Sequence, residues 1–511
     1  MKHSKIRITA LALALFTVLS SFALFSCATD PGSKPVDPAG SGTGAAPDTT
    51  ANPNVCPIPE QDYGDYDFNV LEGGFGLVVF RNDFAYDDSA ASTVLDDAVF
   101  RRNSAAEERL SIRIVTDQKI CRSTTGSEEG YGTLMKEKRA GDTNYDAAVL
   151  PAYDQTKLAY LDALTDMNKV STLDFSNKWW DQKAVSTLTI KDMLFFATGD
   201  YSIDVFNSTI VILFNKAIAA EKKVEDLYKL VEEGKWTFAK WKEYTSQVST
   251  DLNGDDLFTD KDLYGAAVWD DAVYAVVHSS GERCCDLDEN GNMVLTLGTE
   301  RAISAYTDYV EFALKDRSVI RYQQTFGENG KASFNAGSDL EYKLFQNDQA
   351  LFLFTWLGVA DKFRDMDTDY GILPVFKYTE DQQEYYNTVA PYNARFLSMP
   401  YLQEDEERTG TILETIGFYS GQMIIPAFYE KTLYGATVRD EESRPMLELI
   451  REHRVFDLGY FYQPANINKE LILLFRANQT NWASRYQALE KSAKTILDRF
   501  NKAFDDIRAG S

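Results

Sequence analysis

The apolar positions of the chain change period along its length. "YDFNVL" (66–71), "SIRIV" (111–115) and "YDAAVL" (145–150) are short apolar runs, and each reads as a strand. Between the first two, "STVLDDAVFRRNSAAEERL" sets Leu95, Ala98, Val99, Ala106 and Leu110 at helical spacing, with Thr93 and Asp96 placed as an N-terminal cap. "GYGTLMKEKRAGD" predicts another helix before the third strand. Strand, helix, strand, helix, strand implies a parallel sheet with crossover helices. Further on, "TLTIKDMLFFATGDYS" (187–202) reads as a hairpin and "STIVILFNK" (208–216) as a buried strand running into the helix "AIAAEK". A helical region to about 250 follows, then a polar loop and a hairpin turn in "DLDENGNMVLTL". "QALFLFTWLG" (349–358) and "YGILPVFKY" (370–378) return to strand character, and the chain from 403 onward is mostly helical. No repeat is visible.

The first residues carry an address. Lys2, Lys5 and Arg7 precede the uncharged run "ITALALALFTVLSSFALF", the pattern of a secretory signal over 1–26. Leu24-Phe25-Ser26-Cys27 looks like a lipobox, the site where a bacterial lipoprotein is cut and its new N-terminal cysteine acylated; Phe25 is bulkier than the usual residue there. Residues 27–61 are rich in Pro, Gly, Ser, Thr and Ala, with too few large apolar groups to offset the entropy of ordering, and read as a flexible tether. These features place the folded part on the extracellular face of a bacterial plasma membrane, held through lipid alone.

Composition restricts what that part does. Hydrophobic residues make up 44% and charged residues 25%, an ordinary globular balance. A net charge of −26 excludes a nucleic-acid binder, which needs a basic face to neutralise phosphates. Beyond the signal only His278 and His453 remain, so a three-histidine zinc site is excluded and a Ser-His-Asp site has few candidates; no G-x-S-x-G occurs. The chain reads as a binder and not an enzyme. Apart from Cys27, the cysteines are Cys56 and Cys121, which allow one bridge, and the adjacent Cys284 and Cys285, which read as small buried thiols.

"DLNGDDLFTDKD" (251–262) has the spacing of a calcium loop. Asp251, Asn253 and Asp255 offer side-chain oxygens, Leu257 its carbonyl, Thr259 a direct or water-mediated contact, and Asp262 the terminal carboxylate. Asp256 stands where a sharp turn usually takes glycine. The loop is either a structural calcium staple or an unliganded polar turn.

The order of several stretches resembles a known family. "LDDAVFRRNSAAEERLSIRI", "LFFATGDYS", "VILFNKAIA", "LYKLVEEGKWTFAKW", "DMDTDYGILPVFKY" and "QEYYNTVAPYNARFLSMP" are together similar to the extracellular solute-binding lipoproteins of ABC importers, in the carbohydrate-type family 1 group. The resemblance implies a two-lobed α/β fold of the periplasmic-binding-protein kind (type II), with the ligand cleft between lobes. It implies a monomer that passes its solute, a carbohydrate expected to be an oligosaccharide, to the permease of an ABC transporter. Residues 62–205 and 349–402 are expected in the first lobe, and 206–348 and 403–511 in the second. A surface lipoprotein of another class, a glycan hydrolase or a receptor for a sensor kinase, is the alternative.

A sugar presents apolar ring faces rimmed by hydroxyls, so its site needs aromatic platforms beside carboxylate, amide and guanidinium groups. Trp356 ends an apolar strand where the chain is expected to re-cross into the first lobe. Tyr201 and Asp204 fall at the first crossing, Trp269 and Asp270 after the calcium-like loop, and Tyr392, Asn393 and Arg395 in a loop returning to the same opening. Arg81 and Tyr86 follow the first strand. Trp236 and Trp241 read as packing, and Trp179 and Trp180 as either.

Overall fold

The computed structural model describes residues 55–75, 83–86, 93–121, 128–327, 330–335, 338–433 and 442–510, and residues 53–511 form one compact unit. Cys27, the signal, most of the tether, Arg81 and the side chain of Cys121 lie outside the described residues. Two five-stranded sheets organise the unit. Their strands are β1 (Tyr66–Phe75), β2 (Ile112–Cys121), β3 (Ala147–Pro151), β4 (Phe196–Ala197), β5 (Ile210–Asn215), β6 (Tyr264–Val268), β7 (Val319–Arg321), β8 (Ala350–Trp356), β9 (Tyr370–Leu373) and β10 (Arg395–Ser398).

The first sheet runs β2-β1-β3-β10-β4 and the second β9-β5-β8-β6-β7. Read from its other edge, the second is β7-β6-β8-β5-β9, so both sheets share one plan: three parallel strands, then an antiparallel strand supplied from outside the local chain order, then an edge strand. β5 is the first strand after the chain leaves the first sheet, and β10 the first after it returns. The parallel β1, β2 and β3 are linked by helices Val94–Leu110 and Glu128–Ala140, as the alternating pattern predicts. Thr93 and Asp96 form a reciprocal capping box at the start of the first helix.

The expected lobe boundaries need correcting. β8 and β9 do not belong to the first lobe: β8 pairs with β5 and β6, and β9 pairs with β5, all in the second sheet. The return comes between β9 and β10. The C-terminal stretch is not confined to the second lobe either. Helix Glu406–Leu433 packs along Val94–Leu110 on the first sheet's side, whereas helix Ser443–Glu452 packs on β9.

Local chemistry explains the remaining elements. Ile190 and Met193 bridge across Lys191 and Asp192, whose φ values of 53° and 68° give the tight turn expected there. Cys285–Leu287 and Met293–Leu295 form the second hairpin. Helix Phe238–Val248 lies so close to β6 that a Cβ on Gly265 would stand 1.8 Å from the Thr245 carbonyl oxygen. Trp236 and Trp241 are fully buried; the Trp236 indole donates to the Pro374 carbonyl at 3.0 Å.

The two crossings touch. Thr209 and Val389 bridge antiparallel, and the Ala390 N–H donates to the Ser208 carbonyl at 2.9 Å. The two connecting segments are thereby tied side by side between the sheets, the place for a hinge.

Candidate functional site

In open α/β sheets, ligands lie beyond the C-terminal ends of the strands. At those ends the second sheet presents Trp269 after β6, Tyr322 after β7 and Trp356 at the end of β8. The first sheet presents Tyr153 after β3. Beside it, the 391–394 loop is seated by the Ala152 N–H, which donates to the carbonyls of Pro391 and Ala394. The rings join into one row: Trp269 lies 3.7 Å from Tyr322 and 4.8 Å from Trp356, Trp356 5.8 Å from Tyr392, and Tyr392 6.4 Å from Tyr153, measured between centroids. The row crosses from one sheet to the other.

The row is shut. Trp356 is 4% and Asn393 5% exposed. The Tyr392 hydroxyl donates to Asp271 at the start of helix Ala272–Ser279, and the Tyr460 hydroxyl reaches the same carboxylate oxygen at 3.0 Å. Burial pushes the Asp271 carboxyl up to about 6, against the two hydroxyl donors and with the help of the adjacent Asp270 charge. Burial likewise raises Asp270, opposed by Arg476, whose Nε donates to it at 2.6 Å. The Trp356 indole N–H and both polar atoms of the Asn393 side chain are buried with no hydrogen-bond partner among the described residues. Leaving such a group unmade costs about 1–3 kcal/mol, so these atoms mark where a ligand's hydroxyls would be rewarded.

The structure therefore brings Trp356, Trp269, Asp270, Tyr392 and Asn393 together, with Trp356 contributed by the second sheet and not the first. The other expected residues are occupied elsewhere. Arg395 is fully buried and pairs with Asp204 at 2.7 Å, Asp83 at 3.1 Å and Glu72 at 3.7 Å, so Arg395 and Asp204 serve an internal ion cluster. Burial works against the Arg395 charge, and these three carboxylates more than restore it. The Tyr201 hydroxyl donates to Ala197 and accepts from the Leu397 N–H, bracing β4 against β10. Tyr86 is exposed and packs edge-on against Phe100. Trp179 and Trp180 are structural: both indoles donate to Glu414 at 2.8 Å. Asp271, Tyr322, Tyr153 and Tyr460 were not foreseen; the first three follow strands closely, which is the signal that would have found them.

In the 251–262 loop, Asp251 accepts from the N–H groups of Gly254 and Asp256, Asn253 from Asp255, and Asp255 from Leu257. Asp256 adopts φ 62°, the left-handed conformation that position requires. The buried Asp262 accepts from Leu252 and Thr259. Asp251, Asp255 and Asp262 do not form a group of converging ligand atoms; among the described residues the group of three His, Cys or carboxylate ligand atoms close to one another, within 4.8 Å, is His278, Cys284 and Asp457. That buried trio braces the fold. His278 Nε2 and Asp457 lie 3.0 Å apart, Thr388 takes Nδ1 at 2.7 Å, and burial, opposed by Asp457, lowers the His278 pKa. Cys56, Cys284 and Cys285 are buried and free, so no vicinal disulfide is formed.

No protein-family model and no curated protein sequence matches the chain. Solved structures do. The ABC substrate-binding protein Lmo0181 from Listeria monocytogenes, in complex with cycloalternan, is 14% identical with a TM-score of 0.51, over 86% of this chain and 99% of its own. A cyclo/maltodextrin-binding protein complexed with maltotetraose is 11% identical with a TM-score of 0.55, over 84% and 96%. UgpB from Mycobacterium tuberculosis, in complex with glycerophosphocholine, is 13% identical with a TM-score of 0.53, over 85% and 99%. Identities this low carry the fold: the chain has the two-lobed α/β architecture of these solute-binding proteins.

The Asp271 carboxyl gives a pH test. Its folded pKa of about 6 lies above the ordinary carboxylate value, so between about pH 4 and 6 the folded state holds a proton that the unfolded state has lost. Stability must therefore fall as pH rises through that window, by roughly 1–3 kcal/mol from this group. Asp271→Asn, which still accepts from both tyrosines, is expected to flatten that part of the profile in denaturant titrations across pH. An unchanged slope would show that Asp271 is not the group responsible.

Proposed function

We propose that the protein is the solute-binding component of an ABC importer and takes a carbohydrate between its lobes. One observation carries the reading: a row of aromatic rings spans the two sheets at their C-terminal strand ends, beside buried polar atoms that have no partner among the described residues. Rings offer platforms for the apolar faces of a sugar, and the Trp356 indole and Asn393 amide offer hydrogen bonds to its hydroxyls. Because the row draws on both lobes, a ligand on it stabilises the closed arrangement, the form a permease would recognise. Anchoring at Cys27 by lipid keeps the binder at the outer membrane surface, with the tether giving reach. No helix among the described residues is long and apolar enough to cross a membrane. Calcium belongs to the same reading as a staple for the 251–262 loop: Asp251, Asn253 and Asp255 with Asp262 would draw in around the ion, and the chemistry it supplies is cohesion of that turn.

Calorimetric titration with oligosaccharides tests the site. Trp356→Ala is expected to weaken binding about five- to 150-fold, the equivalent of roughly 1–3 kcal/mol, while the fold survives. Trp236→Ala, a core change, is expected to lower the melting temperature and leave affinity alone. Unchanged affinity in a folded Trp356→Ala protein would remove the site from this position. For the anchor, mass spectrometry of the mature N-terminus is expected to find acylated Cys27; an unmodified cysteine there would refute it. For the staple, calcium is expected to raise the melting temperature of the wild type and not of the Asp251→Ala, Asp255→Ala double variant, since an ion bound only by the folded state stabilises it. No shift in the wild type would return the loop to a plain polar turn.

A further inference from the structure

A cavity of about 150 Å³ opens beside the aromatic row, walled by Asp270, Arg321, Tyr322, Phe334, Phe475 and Arg476. Tyr322 is common to both, since its ring lies against Trp269. The cavity sits at the C-terminal ends of β6 and β7, and a hairpin of Gln324–Phe326 and Ala332–Phe334 overhangs it. Phe334 stands 59% exposed on that hairpin, a large apolar ring given to solvent at the edge of a cavity.

The charges in this cavity run against those of the whole. The chain carries a net −26, yet two guanidiniums line the cavity and only one carboxylate does. Arg476 spends its Nε and Nη2 on Asp270, both at 2.6 Å. Arg321 makes no salt bridge among the described residues; its Nη1 donates to the neutral Asn478 amide oxygen at 2.6 Å. Each guanidinium also lies over a ring, Arg321 over Phe475 at 5.6 Å and Arg476 over Phe334 at 6.0 Å, which holds the planar forks in place. Arg321 feels the Asp270 charge through space but makes no direct ion pair among the described residues, so two guanidiniums facing one carboxylate leave the cavity with positive charge to spare for an anion.

Resting on the carbohydrate reading, we infer that the cavity beside the strands Gln324–Phe326 and Ala332–Phe334 is a subsite for an anionic sugar unit, and that the ligand is an acidic oligosaccharide bearing a carboxylate or sulfate group. Its neutral units lie along the Trp269, Trp356 and Tyr392 rings. Its anionic group takes the fork of Arg321, and Phe334 covers the ring that carries it. The volume, about five waters' worth, suits one such unit and no more.

Titration calorimetry of the full chain with maltotriose, trigalacturonate and a sulfated maltotriose tests this. One of the two acidic trisaccharides is expected to bind at least about tenfold more tightly than maltotriose, which one distinguishing carboxylate from sulfate. Its affinity is expected to fall with added salt while that of maltotriose does not. Arg321→Gln is expected to abolish the preference and leave maltotriose binding unchanged. The salt dependence of the wild type decides the matter even if that variant folds poorly. Maltotriose binding as tightly as both acids, or an equal loss for neutral and acidic sugars in Arg321→Gln, would overturn the inference while leaving the carbohydrate reading in place. Binding of none of the three would also overturn it, and the wider oligosaccharide titrations of Trp356→Ala would then judge the carbohydrate reading separately.

Discussion

The buried ion cluster around Arg395 is the constraint on which the rest of the architecture depends. Arg395 opens β10, the strand that returns to the first sheet, and its guanidinium meets Glu72 of β1, Asp83 just beyond β1, and Asp204 in the short helix of the first crossing. Glu72 also accepts from the N–H groups of Asp83, Phe84 and Ala85, and Asp83 accepts from that of Ile203. Arg102 extends the cluster, donating to the Asp83 carbonyl and to Ser420 on helix Glu406–Leu433. Charges out of water are tolerated only when every partner is present, and removing one costs about 3–5 kcal/mol. The outgoing and returning segments are thus fixed to the same lobe at the same point.

With both crossings fixed, the geometry of the cleft follows. Thr209 and Val389 bridge, Ala390 bonds to Ser208, and the Leu357 N–H, just after Trp356, donates to the Thr209 carbonyl. Trp356 is thereby held against the hinge, and the loop carrying Tyr392 and Asn393 is held against the end of β3. The aromatic row lies over this junction and draws its rings from both sheets. The hydroxyl of Tyr392 on the Asp271 carboxylate is a polar contact across the row. A hydrogen bond between lobes is modest in net worth, about 0.5–1.5 kcal/mol, small enough for the lobes to part.

Much of this was legible in the sequence, and the failures have physical reasons. Strands and helices of the first lobe followed from apolar period and from the Thr93–Asp96 cap. β8 was recognised as a strand, but its seven residues are buried on both faces, and an apolar run of that kind does not encode which sheet it joins; hence the misplaced return. Trp356, Trp269 and Tyr392, which the structure brings together, stand at strand ends or in the returning loop, and Asn393 stands beside Tyr392. Tyr201, Asp204 and Arg395 stand at equally suggestive points and have the chemistry of a ligand site. A buried ion cluster and a sugar site draw on the same residue types, and only burial and pairing in three dimensions separate them. Tyr322 follows a three-residue strand too short to register as one.

The central claim is that a ligand bridges the lobes at the aromatic row. Hydrogen–deuterium exchange with and without a mixture of oligosaccharides measures this most directly, because it reports every segment that binding orders. The account requires the strongest new protection at 267–271, 354–357 and 390–394, drawn from both sides of the hinge. Protection concentrated instead at the separate cavity lined by Trp180, Asp200 and Arg451, with those three segments unchanged, would contradict it.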